Sequence, residues 1–393
     1  MRLNVVAPPA LARRVVPAPA AKAVATAPVA LAQSVRVTSA SSQNPFATFA
    51  QGIVDTFRGF FVSFVGFKTR KIEDDPSDVN HPNYGEDMDA RKALAAQRGA
   101  EQSALGKLSQ AQQTQYNTVV KAIGDRPQAR QALQALLVAG TLPGSAPLRG
   151  QGDALTALAT LTNAPLADGI ERAKLLSEML CELENPVRIN QQHKGTCAAT
   201  TAQILLIRRH PAEYVRLVTD LAAPAGTATM AGGGTLTRDP DWANANDGDR
   251  STASRLIQPA IMDAAEGIPF AHYKNAKDMP FIGPVPMLLG GMTPGGAAKV
   301  NTQLEGVKYK NVGFMFGNRE AHFQKVKDAL AAGLGSVPVG VMWSADGAHG
   351  GHELQVDKVA DGRVYYTNPW GQRESMEEHE FLDHMTAAAI PTA

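Results

Sequence analysis

The stretch KGTCAATTAQILL (residues 194–206) contains Cys197, one of two cysteines in the chain, followed by a run that predicts a helix. A thiol buried at a helix start is a common packing residue. An exposed thiol there can be a nucleophile, because the N-terminal end of a helix favours the thiolate. The role of Cys197 therefore depends on what the rest of the chain brings near it.

Composition limits the classes of protein to which the chain can belong. Of its 393 residues, 44% are hydrophobic and 19% are charged, which suffices for one large or two medium domains. The formal net charge of +1 gives no electrostatic attraction for DNA or RNA, so we expect no nucleic-acid partner. Two cysteines exclude a disulfide framework and a four-cysteine zinc site, and we expect neither a metal nor a cofactor. No uninterrupted apolar run is long enough to predict a membrane span.

The first residues have the composition of a disordered arm. Residues 1–44 are rich in Ala, Pro, Val and Ser and contain no acidic residue, so they cannot bury enough surface to offset the entropy of ordering. Pro8, Pro9 and Arg13 interrupt the apolar core that a secretory signal needs. We expect synthesis in the cytoplasm without a Sec signal, and export by a non-Sec route is left open.

A phenylalanine-rich segment follows the arm. Residues 45–67 carry apolar side chains at three- and four-residue steps, which predicts an amphipathic helix. Docking of this helix on the rest of the protein is the favoured interpretation. Contact with a chaperone or a membrane surface is the alternative, although its polar face lacks the lysines usual at a membrane. Residues 68–86 are polar and predict a linker.

Residues 87–185 have the pattern of a helical region. The run at 168–186 predicts a helix that ends before a proline. Cys181 lies inside this run, beside Leu176 and Met179, which favours a structural thiol.

From residue 186 onwards, strand-like runs appear among the helices and glycine-rich loops. Such runs occupy 336–343, 352–359 and 363–370. The last two are separated by Ala-Asp-Gly, which is typical of a hairpin. The sequence therefore predicts the α+β class.

Four polar residues have the types that cysteine acyl chemistry requires. That chemistry needs a base near the thiol, a group that orients the base, and hydrogen-bond donors for an oxyanion. His352 begins the first strand of the hairpin, and Asn368 ends the second at a position that we expect to be exposed. Because paired strand ends lie side by side, the imidazole and the carboxamide are predicted to meet. Gln191 precedes Cys197 by six residues (197 − 191 = 6), in a loop that can direct its NH2 group to the same place.

This pattern resembles the motif of the papain superfamily of cysteine peptidases. The family's order of residues is matched by Gln191, Cys197, His352 and Asn368. The sequence NPWG (368–371) stands where papain-like enzymes have Asn-Ser-Trp-Gly. Lys194 replaces the family's disulfide cysteine and Ala198 its aromatic residue, so the chain is not a close relative of the lysosomal or plant enzymes.

The resemblance implies a papain-like catalytic domain over 186–393, with a central helix and an antiparallel half-barrel. It also implies a role for each matching residue: Cys197 as nucleophile, His352 as general base and then acid, Asn368 as the group that orients the imidazole, Gln191 with the Cys197 backbone N–H as oxyanion hole, and Trp370 as a shield over the Asn368–His352 contact. Papain-like enzymes often carry a helical segment that covers the cleft, so region 87–185 is predicted to restrain the active site.

Two other histidines are weaker candidates for the base. His349 falls in a glycine-rich stretch that predicts a flexible loop. His193 lies four residues before Cys197 and is interpreted as lining the cleft. With His352 as its partner, Cys197 is expected to have a pKa below the ~8.5 of a free thiol.

The function that the resemblance implies is cysteine peptidase activity on peptide or isopeptide bonds, with a protein or peptide as substrate. An alternative uses the same residues for deamidation or transglutamination, as some secreted effectors do. A third hypothesis is a catalytically inactive papain-like module that binds peptides.

Overall fold

The computed structural model describes residues 84–392, except the short segments 244–247, 266–270, 283–284, 287–290, 314–317 and 346–347. The predicted arm at 1–44, the phenylalanine-rich helix at 45–67 and the linker up to residue 83 lie outside the described residues. The first described helix begins at Tyr84, slightly inside the predicted linker.

Helices occupy most of residues 84–222 and recur between the later strands. Over the described residues they are α1 (Tyr84–Ala96), α2 (Arg98–Leu105), α3 (Gln110–Ile123), α4 (Pro127–Val138), α5 (Ala154–Leu161), α6 (Arg172–Glu184), α7 (Cys197–Arg209), α8 (Pro211–Ala222), α9 (Thr252–Ala265), α10 (Pro294–Glu305), α11 (Arg319–Ala331) and α12 (Glu378–His384). None of these helices combines the length and the apolar character needed to cross a bilayer.

Within the part of the chain that the structure describes, the strands form three antiparallel sheets. They are β1 (Thr227–Thr229), β2 (Thr235–Thr237), β3 (Ala271–Lys274), β4 (Met279–Ile282), β5 (Val285–Pro286), β6 (Tyr309–Val312), β7 (Val337–Ala345), β8 (Ala348–Ala360), β9 (Arg363–Asn368), β10 (Gln372–Glu377) and β11 (Met385–Pro391). The largest sheet has the order β10-β9-β8-β7-β11-β6, whereas β1-β2 and β3-β4-β5 are small. Together with the helices, these antiparallel sheets confirm the predicted α+β class.

One hydrophobic core joins the helices on both sides of residue 186. It runs from Tyr116 in α3 to Leu304 in α10 and includes Cys181 and Leu206. The predicted division between 87–185 and 186–393 is therefore not a break in this core. Removal of the earlier helices would expose the buried faces of the later ones.

The six-stranded sheet packs on both of its faces. On one face, Phe323 of α11 and Phe381 of α12 cover β7, β8 and β9. On the other face, Leu205 of α7 packs with Tyr309 and Ala389. Helix α7 thus lies between the helical core and the sheet, and Ala198 to Ile207 are all buried.

The predicted hairpin is confirmed, and its turn has the geometry that its residues favour. Strands β8 and β9 pair as far as Ala360 and Arg363. The two residues between them, Asp361 (φ 55°) and Gly362 (φ 72°), both have positive φ. This is the conformation of a type I′ turn, whose twist matches that of the strands.

We predict opposite effects for the same substitution at two exposed glycines. A Cβ at Gly362 meets no atom within 4 Å, but the positive φ costs an L-residue about 1–2 kcal/mol. Gly362→Ala should therefore lower the free energy of unfolding by about 1 kcal/mol. Gly99 in α2 also has open space, and Gly99→Ala should raise the free energy by about 0.5–1 kcal/mol through helix propensity. Urea titration of both variants measures the difference, and a stabilised Gly362→Ala would contradict the turn assignment.

Candidate active site

Cys197 is the first residue of α7, as the sequence predicts. Thr196 occupies the N-cap, but its hydroxyl accepts no helix N–H and instead donates to Gln258 Oε1 at 3.1 Å. The first N–H groups of a helix have no partner within that helix. The helix start is therefore a set of donors directed at the loop that precedes it.

The Cys197 sulfur lies beside two backbone donors. The N–H groups of Ala198 and Glu353 point towards it, and Glu353 is the residue next to His352. Burial, followed by the nearby Glu353 carboxyl, nevertheless raises the pKa of Cys197 to about 12. The expectation of a lowered thiol pKa is therefore wrong, because loss of solvation outweighs the two backbone donors.

His352 and Asn368 meet at the open end of the hairpin, as the pairing of the strands predicts. His352 Nε2 lies 3.0 Å from Asn368 Oδ1. The Trp370 ring stacks on the imidazole, with centroids 4.4 Å apart and an interplanar angle of 22°. The imidazole–amide pair therefore has an aromatic cover on one side.

The hydrogen bond to Asn368 fixes the tautomer of His352. An amide oxygen only accepts, so the imidazole Nε2 carries the hydrogen and the lone pair lies on Nδ1. His352 is 7% exposed, and burial lowers its pKa to about 4, although the bond to Asn368 opposes the shift. The ring is therefore neutral at pH 7 and has the tautomer that can accept a proton on Nδ1.

Asn368 is buried, which corrects the expectation of an exposed strand end. It is 1% exposed, and its backbone oxygen accepts the Gly371 N–H at 3.1 Å. Its Nδ2 donates to Glu374 Oε1 at 3.1 Å, and Glu374 Oε2 accepts the Tyr366 hydroxyl at 3.1 Å. Because Glu374 takes the NH2 side of the amide, the Asn368 oxygen is turned towards His352. Glu374 lies in the largely polar sequence of β10, and nothing in that sequence indicated its contact with Asn368.

Gln191 connects the two parts of the site. Its backbone N–H donates to Pro369 O at 2.8 Å, and the preceding residue, Asn190, forms a bridge with Trp370. Its Nε2 donates to Lys194 O at 2.6 Å, within the loop that leads to Cys197. The side-chain NH2 has two hydrogens, so the bond to Lys194 leaves a second donor on the same atom.

The loop before Cys197 is held by polar groups from the β3–β4 region. Asp278 accepts the Gly195 N–H at 2.8 Å and the Tyr273 hydroxyl at 2.5 Å. Lys194 Nζ donates to the Asn275 carbonyl at 2.8 Å. Lys194 and Gly195 are separated from these partners by 81 and 83 positions along the chain. No local pattern in the sequence indicated the contacts.

The sequence also contains a second cysteine and two other candidate histidines. Cys181 is 4% exposed in the helical core, and burial raises its pKa to about 12, which confirms a packing thiol. His193 is exposed. The backbone of His349 pairs with Ser344 in the β7–β8 ladder, so the prediction of a flexible loop there is wrong. Backbone pairing places this segment in a strand despite the glycines on either side of His349.

The structure thus brings His352, Asn368 and Trp370 together by direct contacts. Gln191 is joined to this segment through the Pro369 carbonyl, and Cys197 is connected to it through the N–H of Glu353. The arrangement supplies a thiol, a neutral imidazole with an orienting amide, and donors at a helix start. Among the described residues, no group of three or more His, Cys, Asp and Glu is placed to hold a metal ion. No protein-family model and no curated protein matches the chain.

Buried neutral His352 predicts a specific loss of stability in acid. Its pKa is about 4 when folded and ~6.5 when unfolded, so the unfolded chain binds more protons between these values. Its contribution is fully present above pH 6.5 and falls by about 3 kcal/mol as pH drops to 4. Urea unfolding at pH 7 and pH 4 should therefore show a larger loss in wild type than in His352→Gln. Buried carboxyls affect both proteins alike, and equal losses would contradict a neutral buried imidazole.

Proposed function

We propose that the chain is a thiol hydrolase with a papain-like catalytic domain, acting as a cysteine peptidase on peptide or isopeptide bonds. The observation that carries this proposal is the His352–Asn368 hydrogen bond beneath the Trp370 ring, beside a helix that begins with a cysteine. Such a combination of nucleophile, base and orienting group is what acyl transfer to a thiol requires.

The surrounding architecture supports the same proposal. A helix headed by the nucleophile packs against an antiparallel sheet that carries the base and the amide. The order along the chain is Gln191, Cys197, His352 and Asn368, which matches the papain-like motif. Pairing of Asn190 with Trp370 brings the first of these segments to the last.

The pKa values of the two central groups determine the resting state of the proposed reaction. Burial holds Cys197 as a thiol and His352 as a neutral imidazole near pH 7. The thiol proton therefore passes to His352 Nδ1 as the sulfur attacks the substrate carbonyl carbon. Asn368 Oδ1 accepts the Nε2–H of the imidazolium that forms, and Trp370 limits the access of water to this bond.

Attack on the carbonyl places a negative charge on its oxygen. The Cys197 backbone N–H and the second N–H of Gln191 Nε2 are the donors assigned to this oxyanion. Collapse breaks the C–N bond, and the leaving amine takes the proton from His352. Water then attacks the thioester while His352 accepts its proton, which releases the acid and regenerates the thiol.

The alternatives share the first half of this reaction. A deamidase or transglutaminase would form the same acyl-enzyme from a glutamine side chain and release ammonia, with water or an amine as the second substrate. A binding module would use the same cleft with no turnover. The mass of the product therefore separates the three cases.

The decisive experiment incubates a fluorogenic peptide library with wild type, Cys197→Ala and the matched control Cys181→Ala. We expect hydrolysis by wild type, loss of at least about 10³-fold in Cys197→Ala, and activity in Cys181→Ala, because only Cys197 would bear the acyl group. Mass spectrometry distinguishes a cut chain from a gain of ~1 Da at glutamine. Unchanged activity in Cys197→Ala would overturn the proposal.

Glu374 provides a test of how Asn368 acts. Glu374→Leu removes the acceptor that orients the Asn368 amide, so kcat should fall by about tenfold with little change in KM. Glu374→Gln keeps an oxygen at this position and should restore most of kcat. Asn368→Ala should lower kcat by up to about 10²-fold and also reduce stability, since the residue is buried. Equal rates in Glu374→Leu and Glu374→Gln would show that Glu374 does not orient the amide.

A further inference from the structure

Glu353 is a carboxyl beside the Cys197 thiol that the sequence motif does not include. Its backbone N–H points to the Cys197 sulfur, and its carbonyl accepts the Thr201 hydroxyl of α7 at 3.3 Å. Side chains alternate along a strand, and Gln355, two residues further on, bonds to Arg208 of α7. The side of β8 that carries the Glu353 carboxyl therefore faces helix α7.

One oxygen of the Glu353 carboxyl is buried without a hydrogen-bond partner. The residue is 9% exposed, and its Oε1 accepts no hydrogen bond. Among the described residues, no basic side chain forms an ion pair with it. Glu182, by contrast, is also buried but accepts hydrogen bonds from Tyr214 and from Ser251. A buried carboxyl without such donors favours its uncharged form, because the charge loses its solvation.

The charges around Glu353 are few. On α7, Cys197 faces Glu353 from the start of the helix, whereas the Arg208 guanidinium at the other end is bound to Gln355 and Asp357. The pairing partner of Glu353 on β7 is Gly340, in a run (337–342) without ionisable side chains. Burial raises the pKa of Glu353 to about 8. When the carboxyl is ionised, it adds to the carboxylate of Asp278 in raising the pKa of Cys197.

We propose that Glu353 controls the reactivity of Cys197: the neutral carboxylic acid permits the thiolate to form, and ionisation of the carboxyl suppresses it. Glu353 acts through the thiol and is a positioning residue rather than a catalytic one. The consequence for turnover rests on the proposed function: peptidase activity should decline in mild alkali, because ionised Glu353 disfavours the thiolate. The effect on the thiol itself is independent of any substrate and can be measured directly.

The test measures alkylation of Cys197 by iodoacetamide in the folded full-length chain. Rate constants are obtained from pH 6 to pH 9.5 by peptide mass mapping, for wild type and Glu353→Gln, with Cys181 as internal control. The variant lacks the charge that repels the thiolate, so the ratio of its Cys197 rate to that of wild type should rise by about tenfold between pH 6 and pH 9. The corresponding ratio for Cys181 should stay constant. A ratio for Cys197 that does not change with pH would overturn the proposal.

Two further measurements keep the proposal testable if Glu353→Gln does not fold. Glu353→Met is uncharged and of similar size, and it should show the same rise in the ratio. In wild type alone, the logarithm of the Cys197 rate should rise less steeply with pH above about pH 8, where Glu353 ionises; a single uninterrupted titration would overturn the proposal. A pH-dependent effect of Glu353 on alkylation without peptide hydrolysis would refute only the proposed function.

Discussion

Helix α7 is enclosed over nearly its whole length between the helical core and the six-stranded sheet. A polar group in such a position costs about 1–3 kcal/mol if it lacks a hydrogen bond. Gln203 therefore bonds to Glu182 and Ser254 in the helical layer, while Thr201 and Arg208 bond to the sheet. These bonds hold α7 to both layers. The position of its first residue, Cys197, relative to β8 depends on them.

The same enclosure removes charge from the candidate site. Desolvation raises the pKa of Cys197 and lowers that of His352, so both groups are neutral near pH 7. The buried carboxyl of Glu353 is also driven towards its neutral form. The site thus holds a thiol, an imidazole and a carboxylic acid without a permanent ion pair among them. Proton transfer from Cys197 in the proposed reaction would accompany attack rather than precede it.

The helices before residue 186 are a structural part of the site rather than an accessory to it. Glu182 of α6 accepts hydrogen bonds from Ser251, from Ser254 of α9 and from Gln203 of α7. The carboxylate of Glu178, one turn earlier, accepts the Thr252 N–H at 2.8 Å. A segment that supplies acceptors to α7 cannot be displaced without disturbing that helix. A restraint on activity by 87–185 would have to act while these contacts remain.

The sequence by itself determined the features that depend on neighbours along the chain. These are the helix that starts at Cys197, the packing of Cys181, the Asp361–Gly362 turn, and the meeting of His352 with Asn368 that follows from it. Only the tertiary structure decided how deeply Asn368 is buried. It also placed Asp278 and Glu374 where their hydrogen bonds hold the site. It also decided the direction of the Cys197 pKa shift. Helix periodicity and turn conformation arise from local backbone sterics, whereas desolvation depends on every group that surrounds an atom, including those far away in the sequence.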